Sequence, residues 1–227
     1  MPEPRLSVIV PVLNEAPAIT TLLADLRAIL IPGDEIVVVD GGSVDGTPAL
    51  AGNGADRVLT SRPGRSLQMN AGAAAAAGEW LWFVHADTRV PADARDAIAR
   101  AVAAGHVWGR FDIRLSGRHP LLRVIETMMN LRSRLTGIAT GDQGIFVTRA
   151  AFDRVDGFPA IPLMEDITVS SRLKRVGPPA CIRQPRLVTS SRRWEQRGIV
   201  RTVLLMWRLR LAYALGTPAE RLAPRYR

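Results

Sequence analysis

The run Glu35-Ile36-Val37-Val38-Val39-Asp40-Gly41-Gly42-Ser43-Val44-Asp45-Gly46-Thr47 carries the architecture of this chain. Ile36 to Val39 is an unbroken β-branched segment, too short for a helix and apolar on both faces. Such a segment reads as a central strand of a parallel sheet, covered on both sides. It stops at Asp40, and Gly41-Gly42-Ser43 follows, a sequence that lets the chain turn sharply and bring backbone N–H groups near a ligand. Ligands of open α/β sheets collect beyond the carboxyl ends of the strands, so Asp40 stands where a nucleotide would sit. Asp45-Gly46-Thr47-Pro48 reads as the start of the next helix, with Asp45 a helix-start residue.

Upstream, Leu6 to Val10 is a first buried strand ending at Pro11, and apolar residues recur at helical spacing from Ala16 to Leu30. Strand, helix and strand make a βαβ crossover, which implies parallel pairing. Downstream come a short helix near Thr47 to Ala51, a strand from Arg57 to Thr60, and a basic loop entering an alanine-rich helix. Trp80 to Val84 is a fourth strand, ending at His85-Ala86-Asp87, and a helix from Pro91 to Ala104 follows. Acidic residues thus stand after three strands: Glu15, Asp40 and Asp87. That regularity predicts one ligand crevice.

The second half alternates less cleanly. Val107 to Leu115 reads as a strand at a sheet edge or in a mixed region, and Leu121 to Leu135 as a helix packing through Met128 and Met129. Gly141-Asp142-Gln143-Gly144 is a tight loop before a short strand, Ile145 to Thr148, and Ala150 to Val155 is a helical turn. Met164-Glu165-Asp166 precedes a helix from about Ile167 to Val176; Cys181 to Arg183 and Leu187 to Thr189 read as two short strands. A long helix is expected from Ile199 to Leu215. The economical division is one domain over residues 1–195 and a helical tail over 196–227.

The 227 residues suffice for one domain with a substantial core, and 47% of them are hydrophobic, ordinary for a globular chain. The net charge of +9, from 30 basic and 21 acidic side chains, suits an anionic ligand or surface. Zinc-finger spacing and aromatic stacking motifs are missing, which argues against a nucleic-acid partner. Cys181 stands alone, so intrachain disulfides are excluded and a reducing cytosol is expected. An N-terminal signal peptide is not expected, because Pro11 and Asn14-Glu15 interrupt the apolar run.

Several residues are placed for chemistry. Asp87, two residues after His85 at a strand end, can bind a divalent ion that also holds a diphosphate; capping of the next helix by Asp87-Thr88 is the equal competitor. Arg62, Arg65 and Gln68 sit where a basic loop meets a helix start, a place that accepts phosphate oxygens, though a solvated charge run reads the same way. Glu165-Asp166 can supply a general base or simply complement a helix dipole.

Taken together, Val8-Ile9-Val10-Pro11-Val12-Leu13-Asn14-Glu15, VVVDGGSVDGT, GRSLQMNAG, HADT and MED resemble the family 2 glycosyltransferases of the GT-A fold. The likeness covers roughly residues 5–195 and is nearest a compact bacterial subgroup with HADT and GDQG, some members of which are associated with arsenosugar biosynthesis. It implies a Rossmann-like, mostly parallel central sheet flanked by helices. It also implies an inverting transferase that takes a sugar from a UDP- or GDP-sugar to an acceptor hydroxyl, assisted by Mn2+ or Mg2+. Asp40 matches the residue that hydrogen-bonds the nucleobase; Pro11, Asn14, Glu15 and Gly42 match the surrounding donor loops. Arg65, Gln68 and Asp87 fall at the diphosphate. His85 takes the place of the first Asp of the metal motif, which puts metal identity in question. Asp166 matches the catalytic base, with Glu165 beside it. Gly141, Asp142 and Gln143 correspond to an acceptor-side loop, and Arg193-Trp194 to an element near the acceptor.

For the tail, Arg201, Arg208 and Arg210 speak against a spanning helix. Packing on the domain, a homodimer contact and association with an anionic bilayer at its cytoplasmic face are the expectations, in that order. The acceptor is lipid-linked or a small molecule. A sugar-nucleotide nucleotidyltransferase would carry a Gly-rich basic loop after the first strand, and a dehydrogenase would carry GxGxxG there; Pro11-Val12-Leu13-Asn14-Glu15 is neither. A catalytically inactive nucleotide-sugar-binding relative is the remaining alternative, because His85 breaks the metal motif.

Overall fold

The computed structural model describes residues 5–226; the outermost residues of the two predicted segments, 1–4 and 227, lie outside that range. Strands β1 (Leu6–Val12), β2 (Glu35–Asp40), β3 (Arg57–Thr60), β4 (Trp80–Phe83), β5 (Trp108–Leu115), β6 (Phe146–Thr148) and β7 (Ala180–Thr189) form one sheet in the order β3-β2-β1-β4-β6-β5-β7. The first four pair in parallel, β6 is antiparallel to both β4 and β5, and β5 pairs with β7 in parallel. Helices α1 (Ala16–Arg27), α2 (Thr47–Gly52), α3 (Arg65–Ala75), α4 (Ala94–Ala103), α5 (Pro120–Thr136), α6 (Arg149–Arg154) and α7 (Glu165–Leu173) flank it, and α8 (Arg192–Arg197), α9 (Ile199–Ala214) and α10 (Ala219–Tyr226) form the tail.

The continuous apolar strands follow from burial on both faces. Val8, Val10, Ile36, Val38 and Trp82 pack with Ile19, Leu22 and Leu26 of α1 and Ile98 of α4. The alternate residues Ile9, Val37, Val39, Leu81 and Phe83 pack instead with Met69 and Ala73 of α3, Phe152 of α6 and Val169 and Leu173 of α7. A strand with period-two side chains and helices on both sides has no polar position to spare. Gly72 is where α3 comes closest: a Cβ there would lie 2.5 Å from Ile9 Cγ2 and 3.0 Å from Val39 Cγ2.

This topology collects functional segments at one end of the sheet. Val12 of β1 is in register with Asp40 of β2, and β4 lies on the other side of β1. Because β6 runs against β4, the turn Gly141–Gln143 before it reaches the end where β4 finishes. Because β7 runs with β5, its last residues emerge at that same end and deliver α8.

Several expectations are corrected. β7 is one strand through the polar Arg183-Gln184-Pro185-Arg186, with irregular pairing against β5, and it takes the sheet edge while β5 lies inside. Helix α1 ends at Arg27, and α7 begins at Glu165, so the Glu165-Asp166 pair forms its first turn. Helices α8 and α10 were not expected. Arg197 belongs to α8, while Leu204 and Leu211 of α9 and Leu215 just after it are exposed along with Arg201 and Arg208.

Candidate active site

The crevice begins at the ends of β1 and β2. Asp40 is only 3% exposed; its Oδ2 accepts from the backbone N–H groups of Gly42 (2.9 Å) and Ser43 (3.0 Å), whereas Oδ1 is buried with no donor. Gly42, at φ 97°, permits the turn that aims these groups back at Asp40. Asn14 clips its loop to this turn, accepting from Val44 N–H at 2.9 Å while its own N–H donates to Ser43 Oγ. Asp45 accepts from Thr47 N–H and, at 3.0 Å, from Ala16 N–H, so it belongs to the helix starts.

Further along, Pro11, Glu15, Arg65, His85, Asp87, Asp142, Arg192, Arg193, Trp194 and Tyr226 are among the lining of a polar cavity of about 290 Å³. Glu15 is held above the usual carboxyl range, first by burial and then by Asp87, against the pull of Arg192. His85 Nδ1 lies 3.3 Å from Asp142 Oδ1. Partial burial would raise the Asp142 carboxyl, but the His85 hydrogen bond and the charges of His85, Arg65 and Arg193 outweigh it and hold it low.

A smaller adjoining pocket shares Arg65, His85, Asp142 and Tyr226 and adds Gly141, Glu165, Asp166 and Arg210. Glu165, 5% exposed, sits 3.8 Å from Arg65 Nη1; burial, then Asp166, raises its pKa. Burial opposes the Arg65 charge, yet Glu165 and the neighbouring Tyr226, Asp142 and Asp166 keep it firmly protonated. The side chain is half-exposed, free to meet an incoming anion. Asp166 Oδ2 accepts from Gly141 N–H at 2.9 Å and Oδ1 from Ile167 N–H at 2.7 Å, which anchors the carboxylate between the Gly141 loop and the α7 start. The dipole of α7 favours negative charge at this position.

Two predicted site residues are elsewhere. The Gln68 amide is buried and donates to the carbonyls of Val12 (2.7 Å) and Val39 (2.9 Å), so it ties β1 to β2 instead of meeting phosphate. Gln143 is fully buried; it accepts from Thr140 N–H and donates to Phe111 O, so it caps its own turn instead of facing an acceptor. In their place the fold brings Arg210 of α9 and Tyr226 of α10 to the crevice, while Arg132 of α5 lines an adjoining groove. Tyr226 packs under the Arg193 guanidinium, 3.8 Å from the ring centroid.

Among the described residues, no three His, Cys, Asp or Glu side chains converge as a ligand set for a metal. The donor chemistry nevertheless fits an oxygen-seeking ion: Asp87 and Asp142 line one crevice, and Mg2+ and Mn2+ accept one or two carboxylates completed by substrate phosphates and water. His85 fits less well, since Nδ1 faces Asp142 and the buried Nε2 is closed in by Gly141, where a Cβ would lie 2.6 Å away.

A parallel-led α/β sheet with acidic residues at its strand ends, opening on a crevice that also holds Arg65, Arg192 and Arg193, defines an α/β fold of the nucleotide-binding kind. The model of glycosyl transferase family 2 matches residues 7–154, most of the chain, and the protein belongs to that family. Solved structures share its fold. S. aureus TarS (residues 1–349) in complex with UDP superposes with a TM-score of 0.69 at 22% identity, covering 82% of this chain and 60% of that one. The mannosyltransferase PcManGT from Pyrobaculum calidifontis, in complex with GDP-Man and Mn2+, gives 0.66 at 26% identity over 98% of this chain and 68% of that one. This chain therefore spans about three fifths of the TarS segment. No curated protein matches it by sequence.

Proposed function

We propose that the protein is an inverting transferase that moves a sugar from a UDP- or GDP-sugar to an acceptor hydroxyl, with Mn2+ or Mg2+ bound. The observation that carries this reading is the convergence of Arg65, Asp87 and the Glu165-Asp166 pair on adjoining parts of one crevice. Asp40 supports the donor end: a buried carboxylate oxygen without a donor is costly, and an N–H on a nucleobase edge would satisfy it. Pro11, Asn14 and Glu15 would wall the base and ribose, and Arg65 would face the diphosphate.

Asp166 takes the proton of the acceptor hydroxyl as its oxygen attacks the anomeric carbon, and the bond to the diphosphate breaks on the opposite side. Arg65 stabilises the negative charge that grows on the leaving diphosphate. Asp87, with Asp142 beside the same crevice, would hold the divalent ion, which supplies further positive charge at the diphosphate. Gly141 N–H and the α7 terminus keep Asp166 aimed.

The test is thermal-shift titration with UDP- and GDP-sugars in the presence of Mn2+, paired with a donor-hydrolysis assay. One donor should raise Tm by mass action and be consumed, and a chelator should stop its consumption until metal is returned. Stabilisation without any turnover would instead identify an inactive binder. No stabilisation by either class would refute the donor assignment.

A further inference from the structure

Beside the catalytic crevice an apolar groove of about 340 Å³ runs between α5 and α9, lined by Ile125, Met128 and Met129 on one side and Val203, Met206 and Trp207 on the other. Its inner end carries Thr140, Asp142, Arg132 and Arg210, and Arg210 also lines the pocket of Asp166. The groove is thus continuous with the site of the presumed base. Its outer rim stays apolar: Met128 and Leu131 of α5 and Leu204, Trp207 and Leu211 of α9 are each about half exposed.

The two arginines at the inner end lack a bonded counter-ion. Nε and Nη2 of Arg132 and Nε of Arg210 are buried without hydrogen-bond partners, and among the described residues neither side chain forms an ion pair. Burial, followed by the charge of Arg210, pulls Arg132 down to about 10, and burial lowers Arg210 as well. Asp166 favours both charges and Asp142 favours that of Arg210, but neither bonds to them. Two adjacent guanidiniums lacking a counter-ion oppose folding, and an anion bridging them would relieve both.

We propose that the acceptor is a lipid: its phosphate-class anionic headgroup bridges Arg132 and Arg210 and presents its hydroxyl to Asp166, while its hydrocarbon chain lies in the α5–α9 groove. This rests on Asp166 being the base. Oxygen geometry favours the pairing, since a phosphate can take two guanidinium N–H bonds at once. The apolar lining favours a chain, because Met and Trp side chains adapt to flexible hydrocarbon and shield it from water. A small polar acceptor would leave this lining unused, and a neutral lipid would leave both arginines bare.

The probe is dodecyl phosphate below its micelle concentration, titrated calorimetrically beside dodecyl maltoside and glycerol 3-phosphate. Dodecyl phosphate should bind at least about tenfold more tightly than either control, since charge and chain act together. Arg132→Gln and Trp207→Ala should each weaken it by about tenfold or more while leaving nucleotide-sugar binding intact. Arg132→Gln should also keep or raise Tm, because it removes an unpaired buried charge; a purely structural arginine would lower it. Equal binding of the three probes, or dodecyl phosphate binding indifferent to Arg132→Gln, overturns the proposal. Loss of nucleotide-sugar binding by the unaltered protein would instead strike the transferase reading, so the two failures are told apart.

Discussion

Glu165 and Asp166 are adjacent in the chain and share the first turn of α7, yet their surroundings divide them. Glu165 is enclosed with Arg65 as its ion-pair partner, whereas Asp166 is partly open and is fixed by two backbone donors. An Asn at 166 preserves the shape and one acceptor oxygen but cannot take a proton. Asp166→Asn should lower transfer by roughly 10²–10⁴-fold, with donor affinity unchanged. Equal loss of donor affinity, read by thermal shift, would sink the base assignment. Glu165 supports a prediction about stability. A carboxyl whose folded pKa is raised favours the fold while it stays protonated and loses that contribution as pH rises through the folded value. The Tm advantage of Glu165→Gln over the unaltered protein should therefore grow as pH rises from the ordinary carboxyl range through the raised folded value. A constant or shrinking advantage would mean that the Arg65 contact governs this carboxylate.

At the scale of elements, what could be read in advance depended on how local the cause was. Strands β1, β2 and β4 were legible because burial on both faces leaves an unbroken apolar run. Strand β7 was not, because it is the edge strand and its polar Arg183 to Arg186 stretch, exposed at Arg183 and Gln184, carries no hydrophobic signal. Helices α8 and α10 owe little to their own sequence: both are short and rich in charge, and α10 holds Pro224 inside it. For the candidate site, Glu15, Asp40 and Asp87 could be expected at one end of the sheet because each follows a strand, whereas Asp166 was singled out only as an acidic pair at a helix start and by the family resemblance. Gln68 and Gln143 were misplaced because an amide at a loop beside a helix reads like a ligand contact, and only the folded partners reveal its use. Gln68 is testable in that role. Gln68→Ala removes one donor each from the Val12 and Val39 carbonyls, the former keeping Gly41 N–H at 2.9 Å, which should cost about 0.5–1.5 kcal/mol in denaturant unfolding. It should also weaken nucleotide-sugar binding, since these carbonyls set the spacing between the Glu15 loop and Asp40. Unchanged stability would show that the amide is dispensable.

The whole molecule adds a wall that neither the sheet nor the crevice residues supply. Leu209 of α9 and Leu222 of α10 are buried against Leu163 and Met164, just ahead of the Glu165-Asp166 turn, and Tyr213 O–H lies 2.7 Å from Thr168 Oγ1 of α7. Arg193 of α8 stacks on Tyr226, and Arg197 Nη1 donates to the Tyr226 carbonyl at 3.0 Å. The tail helices thereby fold back to close one side of both pockets, and with α5 they form the apolar groove. Arg210 and Tyr226 escaped the sequence reading for this reason: their positions depend on how the tail docks. Ending the chain after Thr217 removes α10 without touching the donor loops. Exposing the Leu222 contact should cost about 1.5–3 kcal/mol of stability. Donor binding should persist, because Asp40 and Asn14 lie at the far end of the crevice on β1 and β2. Without Tyr226, water gains access beside Asp166, so donor hydrolysis should rise relative to sugar transfer. The ratio of free sugar to glycosylated acceptor measures this, and an unchanged ratio would remove α10 from the active-site wall.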